Sequence, residues 1–178
     1  MTDYFLIASL PMIRPDAPPP LTPEAFRARC SDRLGASDVA VIDALLADQP
    51  ANHPFARAWR NADIQVRNAI ARARAAKRRQ DATPWLQAHE GYDLSIVEGV
   101  EAAFRQTDPR RRELALDALR NRLIDALQGP DAFGSAALPA YAVKLTLAWR
   151  RHRFDPEAGS QRLDDALQAA GQPDVEEG

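Results

Sequence analysis

LPAYAVKLTLAW, at residues 138–149, is the stretch around which we expect the rest of the chain to fold. Apolar side chains would lie on nearly every side of a helix formed by these residues, which is typical of a helix enclosed by other helices. The preceding segment, residues 114–127, has leucines at three- and four-residue spacing and predicts one apolar helix face that needs a partner. We therefore predict that two helices, joined near Gly129 and Pro130, form the centre of the core.

The length and charge of the chain set the first limits on its class. Its 178 residues fit one domain, which we predict at residues 1–170, followed by a disordered tail at residues 171–178. With 25 acidic and 23 basic side chains the formal net charge is −2, which excludes a globally basic nucleic-acid binder but allows local basic patches. The longest apolar run near the start, residues 4–10, is too short to span a membrane. We expect a cytoplasmic protein.

No set of residues in the sequence indicates an enzyme. The 8 glycines form no phosphate-binding loop, and His53, His89 and His152 lack the spacing of metal ligands. Cys30 is the only cysteine, so it cannot form an internal disulfide, and its helical spacing from Phe26 predicts a buried apolar residue rather than a nucleophile. We predict no catalytic residue, no metal site and no cofactor.

The start of the chain combines an apolar segment with a run of prolines. Residues 4–10, YFLIASL, are compatible with a strand, an extended segment or a turn or two of helix, and we favour an extended, buried segment. Proline is incompatible with a helix interior, so we predict a strap across the surface, with a PxxP-type ligand as the alternative. The prolines of this strap are Pro11, Pro15, Pro18, Pro19, Pro20 and Pro23.

Capping residues predict where several helices begin. Thr22 followed by Pro23 predicts one start, and Ser37 predicts the next, so that two helices form a hairpin. Ser95 with Glu98 predicts a later start through a capping box.

From Pro54 the apolar pattern alternates steps of four and three residues over three heptads, which predicts one long helix with a narrow seam. This seam consists of Phe55, Trp59, Ala62, Val66, Ala69, Ala73 and Ala76. Thr107-Asp108-Pro109 predicts the start of the central pair, and Asp155-Pro156 that of a last short helix. The fold class we predict is all-α, a single-domain multi-helix bundle with an extended N-terminal segment and a Pro-rich strap.

The candidate partner-binding residues are all cationic, and the first three lie at the end of the long helix. Cations suit the negative end of a helix macrodipole, so a solvated helix end is the favoured interpretation, and contact with an acidic protein or a phosphate backbone is the alternative. No aromatic residue interleaves this patch, as single-strand binding would require, so nucleic acid is not the expected partner. The nine candidates are Lys77, Arg78, Arg79, Arg110, Arg111, Arg112, Lys144, Arg150 and Arg151.

Residues 110–112 are unusual because three adjacent arginines lie in the first turn of a helix, where the macrodipole is positive. Either carboxylates such as Asp108, Glu113 and Asp117 offset them, which we favour, or they face an acidic partner. Lys144 is nearly the only charged residue on the enclosed helix. We expect its amine to reach solvent, with a buried ion pair across the fold or a partner contact as the alternatives.

Four segments, in their order and spacing, resemble an uncharacterised bacterial family encoded among the subunits of V/A-type rotary ATPases. They are YFLIASLP at residues 4–11, LALDALRNRLID at 114–125, AYAVKL at 140–145 and FDPEAG at 154–159. Members of this family are encoded at the place where the C subunit, named d in eukaryotes, would otherwise be expected. The similarity extends from the N-terminus to about residue 167.

The resemblance implies a non-catalytic, C/d-subunit-like component that links the central rotor stalk to the membrane ring. Its implied partners are other rotary ATPase subunits, with no small-molecule substrate and only indirect membrane contact. The chain is much shorter than a full C subunit with its threefold repeat, so a stoichiometric subunit and an assembly factor both stay open. The alternative from another class is a helical adaptor or regulator that binds nucleic acid through the basic helix end at residues 72–79.

Overall fold

The computed structural model describes residues 3–14 and 17–153. Within these ranges the chain contains seven α-helices, one turn of 3-10 helix at Thr83–Trp85, and no strand, which confirms the all-α prediction. The last short helix and the tail that we predict after residue 154 lie outside the described residues. The helices are α1 (Tyr4–Ser9), α2 (Pro23–Ser31), α3 (Ala36–Leu46), α4 (Pro54–Arg78), α5 (Leu94–Phe104), α6 (Pro109–Gln128) and α7 (Ala137–His152).

Helix α7 is enclosed as its sequence predicts. It contacts α2, α3, α4 and α6, and nine of its 16 residues are buried. Around it lies the α7 cluster, an apolar core that includes the side chains of Phe26, Phe55 and Trp59. Cys30 is fully buried in the same cluster, as its spacing predicts, and burial raises the pKa of its thiol to about 11. A thiol in this environment is a packing residue and a poor nucleophile.

A second core, the α5 cluster, lies between α4, α5 and α6. Its buried members are Ala62, Val66, Ala69, Ile70, Ile96, Val100, Ala103, Leu116 and Leu119. Helix α5 approaches α6 so closely at Gly99 that a Cβ atom there would lie 2.9 Å from Leu119 Cδ1. Leu123 and Leu127 of α6 pack against both clusters, so α6 joins the two cores.

The start of the chain differs from our prediction of an extended, buried segment. Residues 4–9 form α1, because the Asp3 carboxylate accepts a hydrogen bond from the Leu6 backbone N–H at 2.8 Å and so caps the first turn. The helix ends at once because Leu10, which precedes proline, is extended. Only Leu6 of α1 is buried, and Tyr4 and Phe5 are exposed.

The Pro-rich strap takes no regular structure in residues 11–14 and 17–21, and two side chains of α7 hold it against the bundle. The Tyr141 hydroxyl donates a hydrogen bond to the Pro11 carbonyl at 3.0 Å, and the Trp149 indole N–H donates to the Leu21 carbonyl at 2.6 Å. The strap prediction is therefore confirmed, and its two anchors lie near opposite ends of the enclosed helix.

The predicted helix starts are correct where an Asp or Thr precedes proline. Thr22 caps α2 and Asp108 caps α6. The predicted caps Ser37 and Ser95 are wrong: α3 begins at Ala36 without a side-chain cap, and Asp93 caps α5 by accepting from the Ser95 N–H.

The predicted seam of α4 is confirmed for its first five residues, all of which are buried. At its end the seam prediction is wrong: Ala76 is exposed and Ala75 is buried instead. A heptad pattern repeats about every 3.5 residues on average, whereas a straight helix has about 3.6 residues per turn. A strict heptad pattern therefore drifts off the buried face over three heptads.

Candidate interaction surface

Two buried charges connect α4 to α6. The Arg120 Nε–H donates to Asp63 Oδ1 at 2.9 Å, and both side chains are at most 10% exposed. Arg67 donates from Nε to the other oxygen of Asp63 at 2.6 Å and from Nη2 to Asp48 at 2.8 Å. The resulting chain of charges runs from the loop after α3 to the interior between α4 and α6. We did not predict it: Asp63 and Arg67 have the four-residue spacing of a helical ion pair, but no sequence pattern links Asp63 to Arg120, which is 57 residues away.

Three of the predicted partner-binding residues, all on α7, have ion-pair partners on α6. Lys144 Nζ lies 2.6 Å from Asp125 Oδ1, but the Asp125 side chain is 63% exposed, so this pair across the fold is not the buried ion pair of the alternative prediction. Arg150 and Arg151 both pair with the buried Asp117, at 2.7 and 3.8 Å. Their charges hold α7 to α6, and their role in partner binding stays a prediction.

The other six candidates converge at one end of the molecule, although 30 residues separate the two groups in sequence. Phe104, at the end of α5, brings the groups together: Lys77 Nζ and the Arg112 guanidinium each lie 5.2 Å from the centre of its ring. We name this surface the basic end. It consists of Lys77, Arg78, Arg79, Arg110, Arg111 and Arg112.

The three arginines at the start of α6 have different local partners. Arg112 stacks on Phe104 and donates a hydrogen bond to the Gln106 carbonyl at 3.0 Å, whereas Arg111 lies 3.8 Å from Asp108. In the ranges that the structure describes, no carboxylate lies within ion-pair distance of Arg110. Asp108 thus offsets part of the charge, as we expected, but Asp117 pairs with α7 instead.

The group at residues 77–79 lies at the C-terminal end of α4. Arg79 is the C-cap of α4 and adopts the left-handed conformation, with φ of 54°. Its backbone N–H continues the hydrogen bonding of the last helical turn by donating to Ala75 and Ala76 carbonyls. The side chains of Lys77, Arg78 and Arg79 are near the helix C-terminus, where the macrodipole favours cations.

A groove of about 550 Å³ runs along the face of α4 and α6 beside the basic end. We name it the α4–α6 groove. Its apolar lining comes from Ile70, Ala71, Ala75 and Leu116. Five arginines also line it, against one carboxylate, Glu113, and these arginines are Arg67, Arg74, Arg78, Arg120 and Arg150. The groove is therefore a basic site with an apolar floor.

Trp85 lies at the same groove, with 58% of its surface exposed. No aromatic residue interleaves the basic helix end in sequence, but the fold places Trp85 beside Arg74 and Arg78. Amide side chains on α4 fix the loop after Trp85: Asn68 donates to the Gln87 carbonyl at 2.8 Å and accepts from its N–H at 2.9 Å, and Gln65 accepts from the Asp93 N–H. The 3-10 turn carrying Trp85 is thereby held beside α4.

Neither a cluster of metal-ligating side chains nor a membrane-spanning helix is found among the described residues. No group of three or more His, Cys, Asp or Glu side chains there is arranged to hold a metal ion. None of the helices in the same part of the chain is long and apolar enough to cross a membrane. The predicted partner-binding residues share a positive charge.

Comparisons of the chain with family models, with curated proteins and with solved structures found no match. The family resemblance of the four segments therefore stays a prediction.

Proposed function

We propose that this protein is a non-catalytic, C/d-subunit-like component of a V/A-type rotary ATPase that links the central rotor stalk to the membrane ring. The observation that carries the docking part of this proposal is that Lys77 of α4 and Arg112 of α6 meet at the ring of Phe104, which brings their two groups of three cations to the same end of the bundle. An acidic partner surface complements such a patch and steers association. The resemblance of the four sequence segments supplies the class of partner.

The packing of the basic end supports a preformed docking surface. Phe104 holds Lys77 and Arg112 in place, so part of the entropic cost of ordering long cationic side chains is met before any partner arrives. Arg110 and Arg79 are exposed beside them. The surface can therefore meet an acidic partner without a rearrangement of the helices.

Co-expression with the rotary ATPase subunits of the same genome tests the proposal. We expect affinity capture of this chain at moderate salt to recover stalk or ring subunits. Charge reversal of Arg110, Arg111 and Arg112 to Glu should reduce recovery about tenfold or more, because three favourable contacts become repulsive.

The matched control reverses three exposed arginines away from the basic end, Arg29, Arg60 and Arg122, and should leave recovery unchanged. Capture of this chain alone, together with normal assembly of the ATPase in its absence, would contradict the proposal. Equal loss of recovery in both triple variants would show that net charge rather than the basic end drives association.

A second candidate function, nucleic-acid binding by a helical adaptor, is favoured by the position of Trp85 beside Arg74 and Arg78. An exposed ring next to cations is the arrangement on which a single-stranded base stacks. This function predicts binding to a fluorescent oligonucleotide that weakens steeply with salt. Retention of the oligonucleotide by a Trp85→Ala variant would count against it.

A further inference from the structure

The α4–α6 groove has unpaired positive charge at one place only. Of the five arginines that line it, Arg67, Arg120 and Arg150 pair with internal carboxylates. Arg74 and Arg78 have no carboxylate within ion-pair distance in residues 3–14 and 17–153. Their charges are therefore available to a ligand.

The spacing of these two arginines matches a helical ligand. Arg74 and Arg78 are four residues apart on α4, so their side chains repeat at about 6 Å along the helix axis. Carboxylates four residues apart on a second helix repeat at the same distance. Two such carboxylates can meet both arginines at once when the second helix lies along α4.

The floor of the groove allows that close approach. Ala71 and Ala75 lie on the face of α4 that lines the groove, and the buried side chains of Ile70 and Leu116 close the floor beneath them. Small side chains let two helix axes approach to about 8 Å. An apolar residue between the two carboxylates of the ligand would be buried on this floor.

Trp85 supplies an anchor at the side of the groove. A large exposed ring next to a charged groove is the type of residue that contributes most to binding when it is covered. The amide pair of Asn68 and Gln87 fixes the loop that follows the ring, so little order has to be gained on binding.

We infer that the α4–α6 groove binds an acidic amphipathic helix of a partner protein, with carboxylates four residues apart on Arg74 and Arg78 and an apolar residue against Ala71, Ala75 and Trp85. The site shares Arg78 with the basic end and deepens the proposed function, on which it rests for the identity of the partner.

A defined peptide tests the inference on the full-length protein. The probe is a synthetic 16-residue helical peptide with glutamates at four-residue spacing and leucines between them, labelled for fluorescence anisotropy. Its control carries glutamine in place of every glutamate. We expect the acidic peptide to bind at least tenfold more tightly than the glutamine peptide at low salt, because only the former pairs with the two arginines.

Paired variants locate the binding. Arg74→Glu/Arg78→Glu should weaken binding of the acidic peptide about tenfold or more, and Trp85→Ala should weaken it severalfold. The matched control, Arg60→Glu/Arg72→Glu, makes the same charge change on exposed positions of α4 that do not line the groove, and should bind as the native protein does.

Several results would overturn the inference: no binding of the acidic peptide, equal binding of the glutamine peptide, equal losses in both arginine variants, or tighter binding of an oligonucleotide through the same arginines. The two proposals fail separately. Recovery of ATPase subunits that ignores Arg74→Glu/Arg78→Glu would overturn the groove and keep the proposed function, whereas groove-dependent peptide binding without recovery of those subunits would do the reverse.

Discussion

The two apolar clusters of this bundle differ in the side chains that they bury. Each cluster buries three alanines, but the α7 cluster also buries three aromatic rings, Phe26, Phe55 and Trp59, whereas the α5 cluster buries none. Beside the α5 cluster lie the buried polar residues Asn68 and Arg120. Large rings contribute large apolar areas on burial. We therefore expect the α5 half, which has no buried ring, to depend more on specific polar pairing.

This difference has a functional consequence. The enclosed α7 leaves little of its surface free, and its cations mostly pair with α6. The α4–α5–α6 half keeps unpaired cations and an exposed ring at its surface. We therefore expect mutations near α7 to affect folding and mutations near the ends of α4 and α6 to affect binding.

The largest effect should come from Asp63→Ala, which leaves Arg120 buried without a carboxylate. We expect a loss of about 3 to 5 kcal/mol in the free energy of unfolding, measured by urea denaturation. Asp43→Ala, which breaks the exposed pair with Arg27, is the control and should cost under about 1 kcal/mol. Similar losses in the two variants would show that the α5 half does not depend on its buried pair.

Leu145→Ala tests the other half of the contrast. Leu145 is fully buried on α7, so its truncation removes apolar burial and leaves a cavity. The expected loss is about 2 to 5 kcal/mol by the same measurement. Leu114→Ala, on an exposed position of α6, should change stability little. Peptide binding should survive in Leu145→Ala while it stays folded, and its loss in the folded variant would break the proposed division of roles.

Asn68→Ala should have a moderate effect, because it removes both hydrogen bonds to the Gln87 backbone. We expect a loss of about 1 kcal/mol, since the exposed loop can still bond to water. Peptide binding should also weaken as the loop that positions Trp85 becomes less ordered. Gln65→Ala, which removes a single exposed contact to Asp93, is the comparison and should cost less in both measurements.

The smallest effect should be a pH dependence at the start of α4. His53 Nδ1 accepts a hydrogen bond from the Phe55 N–H at 3.2 Å, and desolvation lowers the pKa of His53 below its usual 6.5. As the pH falls through 6.5, the unfolded chain binds a proton that the folded chain resists, so stability decreases toward acid. In His53→Asn, which keeps a neutral cap, unfolding free energies at pH 7.5 and 5.5 should differ less than in the native protein. An unchanged difference would remove His53 as the cause.

The sequence predicted several features correctly because their causes are local or periodic. A segment such as residues 138–149, in which Lys144 and Thr146 are the main polar interruptions, leaves no broad polar face, so enclosure by other helices is favoured. Asp108 and Thr22 act through hydrogen bonds within one helical turn. A run of prolines excludes helix whatever surrounds it. The α1 segment was misjudged because the single cap at Asp3 outweighs the composition of the six residues that follow it.

The chain's own pattern thus determined the fold class, the central position of α7 and the strap. Only the tertiary structure decided where the charges meet. Asp63 and Arg120 are 57 residues apart, and Trp85 reaches the groove through a loop held by Asn68. Periodicity predicts which face of a helix is apolar. It does not predict the partner of a charge on that face, because the partner lies on another helix. The groove and the basic end follow from how α4 packs against α6, and no local signal in either helix specifies that packing.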